Sequence, residues 1–290
     1  SLGTSASLEV DVSSEVTQCS IRRTYSRTTE TWNPGSAVIT IADLNGDWNP
    51  DNTSSPYYGK IRPMQKLTLG AYSTGGGPIF TEIPVPNPLV GGNNLALFRG
   101  YIQNWKYTPA KGADIARMEI LAYDAFLLFN NANVNTVAGT SAGELTGSRI
   151  NDILNQIGWP SSMRTIDAGR TTLQADPGTT RTTLNALQTV EESEYGAFYM
   201  DRVGYATFKD RNSLVEATAK GPTTFADNGT LGAYPYFAVD FALDDTLIQN
   251  AVTITPAGMA PQYAEDPASI TQYFTHSVNR DNLLMDTTTD

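Results

Sequence analysis

The segment Ser148–Arg211 constrains this chain more than any other. In SRINDILNQIGWP, Ile150, Ile153, Leu154 and Ile157 recur at the i, i+3, i+4, i+7 spacing of a helix with one apolar face. Ser148 is placed to cap that helix and Gly158 to stop it, with Pro160 just beyond. In TTLNALQTVEESEYG the stripe is Leu184, Leu187 and Val190, and Gly196 is the expected stop. AFYMD and YATFKD, arranged around Gly204, read as an aromatic-rich hairpin. Together these predict a small α/β unit in which Ile153 and Leu154 pack against the hairpin residues Phe198 and Phe208. The chain on either side of it reads as β.

Upstream, Leu8, Val10 and Val12 share one face of SLEVDVS, and Ser20 to Arg27 alternates less clearly. Val38, Ile39 and Ile41 mark a β-branched strand between Pro34-Gly35 and Asn45-Gly46. A polar excursion dense in turn formers follows, from Asn45 to Gly59, before a strand resumes at Lys66 to Tyr72. The Gly/Pro-rich stretch 73–94 reads as a contact arm or variable insertion. Strands return at Leu95 to Tyr107 and in ADIARMEILAYD, and the first domain closes near Asn135. The Ser/Gly/Thr-rich stretch 136–147 reads as a linker. After Arg211, FAVDFALDDTLIQNAVTITP holds two strands, the second with Ile248, Asn250, Val252 and Ile254 on one face. Tyr273 and Phe274 are the large anchors expected of the polar tail from Pro261. The expected organisation is an N-terminal β-barrel-like domain at 1–135, an α/β insertion at 136–211, and a second β domain at 212–290 that continues beyond this chain.

The net charge is −11, which repels nucleic-acid phosphate. Cys19 is the sole cysteine, so no intrachain disulfide can form, and it is expected in a buried or half-buried position. The apolar run AFLLF at 125–129 is far too short for a membrane span. The first residues, SLGTSASLEV, lack the basic start and apolar run of a signal peptide.

Candidate chemistry is sparse. Gly139-Thr140-Ser141-Ala142-Gly143 matches the G-x-S-x-G nucleophile elbow, and His276 follows with aspartates between. The elbow needs a buried strand running into a helix at the serine, and the predicted helix starts too late. Asp43, Asn45 and Asp47 begin like a calcium loop, but Trp48 stands where its glycine belongs and Ser54 where its bidentate glutamate belongs. A turn network is the expectation there. One histidine and one cysteine do not make a zinc site. Glu191, Glu192 and Glu194 read as a solvated or interface-facing helix face, and Trp32, Trp48, Trp105 and Trp159 are too scattered to form a stacking platform. No catalytic, cofactor-binding or metal-ligating residue is assigned, and no cofactor is expected.

Three blocks carry a family resemblance. ITIADLNGDWNPDNTSSPYYGKIRPMQKLTL at 39–69, SRINDILNQIGWPSSMRTIDAGRTTLQ at 148–174, and LQTVEESEYGAFYMDRVGYATFKDR at 187–211 with LDDTLIQNAVTITP at 243–256 resemble minor tail proteins of long-tailed actinobacterial bacteriophages and prophages. The resemblance spans most of 35–256 and transfers no catalytic residue. It implies a mainly β fold, with tail-tube-like β-barrel domains carrying a helix-helix-hairpin insertion. It implies a tail-tip or baseplate hub of the virion, made in the bacterial host cytoplasm. The implied partners are further copies in a homo-oligomeric ring (a trimer), the tail tube or distal tail protein, the tape measure protein, and tail fibres or other minor tail proteins. Phage DNA would pass through without specific binding, past a wall expected to be neutral or acidic, since a basic one would hold phosphates and brake ejection. The alternatives are a distal tail adaptor ring protein, sixfold rather than threefold, and a tail-associated serine hydrolase using Ser141 and His276.

Overall fold

The computed structural model describes residues 11–26, 31–72, 94–213 and 248–287, with isolated positions between 224 and 246. The expected strand in 7–10, most of the 73–94 arm and the first strand after Arg211 lie outside the described residues. The fold is mainly β with a small α/β unit, as the resemblance implies.

Five antiparallel strands form the first sheet, in the order Val16–Arg22, Ser36–Asp43, Ala116–Tyr123, Asn94–Thr108 and Lys66–Tyr72. Register shifts between Val16 and Gln18, Leu69 and Gly70, and Ile102 and Asn104 bend the ladder, because a bulge coils the strand that carries it. The sheet therefore curls into a half-barrel whose outermost strands are not hydrogen-bonded to each other. Strict alternation puts Ala37, Ile39 and Ile41 on the same face as Met118, Ile120 and Ala122, and these with Phe98 and Ile102 make the first core. The polar excursion folds beneath this face. Trp48, at its centre, is buried against Tyr57 and Trp105, with ring centroids 4.5 and 6.1 Å away. The tryptophans are thus not all scattered: two meet here because the excursion returns to the sheet it left.

The second core belongs to the α/β unit. Helix α1 (Phe126–Asn131), α2 (Thr146–Gln156) and α3 (Thr183–Glu194) pack with the hairpin Ala197–Met200 and Ala206–Lys209. A third strand, Arg164–Ile166, runs parallel to Ala206–Lys209. Ile150, Ile153, Leu154, Leu187, Phe198 and Phe208 are fully buried together, as the helical spacing predicts. The stacked rings of Phe126 and Phe198, with centroids 5.7 Å apart, link α1 to the hairpin.

The boundaries differ from expectation in several places. AFLLF is helical, and Phe126 and Phe129 are buried in the second core, so that core begins before 135. The stretch 136–147 is not a free linker: Val137 is buried, and Glu144–Leu145 pairs with Thr172–Leu173. Helix α2 begins at Thr146, not at Ser148, after an extended Leu145. Gly158, at φ +72, does stand just past its C-cap. Helix α3 closes on Tyr195 in the left-handed region at φ 59, one residue before Gly196.

A third sheet carries the strands Gln262–Glu265, Ala251–Pro256 and Ser277–Leu283 in that order, with a short helix α4 (Pro267–Tyr273) between the first and last of these in sequence. Tyr273 and Phe274 do not anchor the tail, being 44% and 85% exposed. Leu283, Leu284 and Met285 are the buried residues there, and Leu284 joins the second core. Its backbone N–H donates to Ser193 Oγ at 2.8 Å, docking the end of this sheet on α3.

Candidate functional site

The residues singled out by sequence are not assembled into a catalytic group. Ser141 is exposed, and its carbonyl accepts a hydrogen bond from Arg149 at 3.4 Å. The His276 ring bonds the Tyr273 carbonyl at 3.0 Å, and its backbone N–H donates to Asn250 Oδ1 at 2.7 Å. No hydrogen bond joins Ser141 to His276, and neither lies in a strand. Among the described residues, no three His, Cys, Asp or Glu side chains gather as metal ligands. Asp43 is buried on the core face, and the Tyr107 phenol pKa is raised first by desolvation and then by the Asp43 carboxylate. Asp47 offers its carbonyl to Ser55. The Asn49 and Asn52 side chains accept from the backbone N–H groups of Asp51 and Ser54, each at 3.0 Å. This is the expected turn network. Cys19 is exposed, contrary to expectation, because its strand is an edge of the sheet.

The glutamates of α3 hold the surprise. Glu191 and Glu194 are 1% and 0% exposed, so that face of the helix is not solvated. Glu194 Oε2 accepts from Thr146 Oγ1 at 2.9 Å and from the backbone N–H groups of Arg170 and Thr171 at 2.9 and 2.7 Å. One carboxylate therefore joins the start of α2, the end of α3 and the loop between them, a role no spacing rule in the sequence announces. Glu191 accepts from the Phe198 N–H at 2.7 Å, and its burial pushes its pKa well above the ordinary carboxylate value. Arg149, fully buried, pairs with Glu144 at 2.7 Å and donates to the Gln174 carbonyl at 2.8 Å, tying the 136–147 stretch to α2.

Asp124 joins the two cores. It follows the last strand of the first sheet, donates its N–H to the Gly35 carbonyl at 2.9 Å, and accepts from Gly35 and Phe126 N–H at 2.7 and 3.0 Å. Desolvation raises its pKa to about 6 against the pull of those bonds and of Arg23.

Two surfaces remain open. On the outward face of the five-stranded sheet, Arg22 and Lys66 end one cross-strand row, while Lys106 and Arg117 lie in neighbouring rows; all are exposed, and Glu119 is the exposed acid among them. The sign is opposite to that of the chain as a whole. Phe274, beside the C-terminal sheet, has φ 62 and ψ 179. That region is essentially reserved for glycine and costs about 1–3 kcal/mol. The buried Asn250 holds it there: its amide donates to the Phe274 carbonyl at 2.7 Å and to Ser269 Oγ at 3.2 Å.

No family model matches the chain, and no curated protein matches it. Among solved structures it is similar to the tail protein from Neisseria meningitidis MC58, with a TM-score of 0.48 and 13% identity over 86% of this chain. The chain covers 64% of that protein's length, just under two thirds. It is also similar to prophage tail protein gp18 from Listeria monocytogenes EGD-e, with a TM-score of 0.46 and 10% identity over 93% of this chain and 67% of the other. The 43 kDa tail protein of prophage MuSo2 from Shewanella oneidensis gives a TM-score of 0.46 and 13% identity over 94% and 73%. Among the described residues, no helix is long and apolar enough to cross a membrane.

Proposed function

We propose that this chain is a structural component of a bacteriophage tail tip or baseplate. In this reading it forms a hub ring that joins the tail tube to the tip or fibres and surrounds the DNA exit path. The observation that supports it is where the resembling blocks fall. Block 39–69 supplies a central strand, the buried Trp48 and the excursion that closes the first core. Blocks 148–174 and 187–211 supply most of the second core and the Glu194 joint. The resembling blocks therefore carry much of the packing of both cores, as a connector that carries load requires. Its partners would be copies of itself in a trimer, the tail tube or distal tail protein, the tape measure protein and the fibres. Its place would be the virion.

Virions made without this chain should carry tubes that lack tips when imaged by electron microscopy. Antibody to it should decorate the distal end of complete tails. Normal tips in its absence would overturn the reading. The adaptor-ring alternative is separated by copy number, since native mass spectrometry of isolated tips should count three rather than six. The hydrolase alternative has the G-x-S-x-G match in its favour, but Ser141 and His276 are not hydrogen-bonded in this fold. Labelling of Ser141 by a serine-directed fluorophosphonate would revive it.

A further inference from the structure

The two open surfaces are complementary to each other. On the outward face of the first sheet, Val38 (38% exposed) and its cross-strand partner Leu121 form an apolar strip between the row ended by Arg22 and Lys66 and the row holding Lys106. On the C-terminal sheet, directly opposed residues share a face, which places Tyr263, Glu265 and Asp281 together on one side, all exposed. No strand residue on that side is basic. Phe274 projects from the end of this sheet, 85% exposed, in a backbone conformation that Asn250 enforces. The turn ends α4, where the Phe274 N–H donates to the Ile270 carbonyl at 2.9 Å, and it also fixes the phenyl ring in water, as a preorganised contact residue requires.

We propose that Phe274 and the acidic side of the C-terminal sheet dock on the basic face of the first sheet of a second copy, with the phenyl ring on the Val38–Leu121 strip. The contact is head-to-tail, the type that generates rings or filaments. It names the self-contact of the ring proposed above and rests on that reading. A second copy is the occupant because an acidic surface and a basic surface of one chain attract each other between copies and repel their own kind. Covering the basic face with a neighbour also removes it from any DNA path, where it would hold phosphate. The sheet face measures about 19 by 25 Å from standard strand spacing and rise. That corresponds to a contact at the small end of specific interfaces, so the isolated chain should associate weakly and salt-sensitively.

Sedimentation of the full chain over a concentration series tests this. Association is expected at low salt and weaker by several-fold at high salt. Phe274→Gly should weaken it about tenfold or more, as loss of an anchor residue does, while the melting temperature holds or rises because glycine accepts the backbone. Lys106→Glu/Arg117→Glu and Glu265→Lys/Asp281→Lys should each be monomeric alone and associate when mixed, since each then offers the other a complementary surface. A parent chain that stays monomeric throughout, variants that associate like the parent, or a mixture that stays monomeric would each overturn the contact. All three would leave the tail-tip reading intact, because that reading stands or falls on virion imaging. Absence of the chain from tails would sink the tail-tip reading even if copies associate in solution.

Discussion

Glu194 and Thr146 meet at 2.9 Å with both side chains fully buried, although they stand at opposite ends of two helices. The same carboxylate oxygen takes the N–H groups of Arg170 and Thr171. A helix C-terminus is the disfavoured end for an acid, so these donors, with Arg211 near the other oxygen at 3.9 Å, offset both the dipole and desolvation.

Glu194→Ala is therefore expected to cost about 3–5 kcal/mol, the range for breaking a buried charged network. Urea denaturation of both proteins measures it. Glu192→Ala, at a half-buried position of the same helix, should cost clearly less than Glu194→Ala. Equal effects of the two substitutions would show that Glu194 is not the joint.

The paired core positions give a second expectation. Ile153→Ala and Leu154→Ala should each cost about 2–5 kcal/mol, the usual range for truncating a buried aliphatic side chain. Unchanged melting temperatures for both would contradict their burial against the hairpin.

Gly147 makes a sharper case. A Cβ there would lie 2.0 Å from the Asp167 carbonyl oxygen and 2.6 Å from that of Ala168. Both are backbone atoms, so nothing flexible can yield. Gly147→Ala should cost more than the roughly 1–3 kcal/mol of ordinary overpacking, visible as loss of the cooperative unfolding transition at room temperature or as insoluble expression. A variant as stable as the parent would mean that the 167–169 loop does not cross α2 this closely.

Asp124 predicts a pH dependence. Its folded pKa of about 6 lies above the ordinary 3.8, so folding favours the protonated form. Its contribution to stability is fully present below about pH 4 and is lost as pH rises through 6, by up to about 3 kcal/mol. The stability difference between the parent and Asp124→Asn should shift by that order, against the parent, between pH 4 and pH 7. A flat difference, or one of opposite sign, would contradict the burial-raised pKa.

What the sequence determined by itself was local. Apolar spacing marked α2 and α3 and their buried residues, β-branched residues between turn signals marked the Ser36–Asp43 strand, alternation marked the Ala116–Tyr123 strand, and turn chemistry marked the excursion. Each of these signals lies within one element, where a repeat of 3.6 or 2 residues decides which side chains leave water. Tertiary structure alone decided the rest. Glu194 is polar by type and buried by circumstance, because its partners come from a loop more than twenty residues away in sequence. AFLLF read only as an apolar run too short for a membrane span, because a six-residue helix is too short to show a helical period. Phe274 looked like an anchor because a large apolar side chain is expected inside. The hydrogen bonds of Asn250, which is distant in sequence, help to hold it outside.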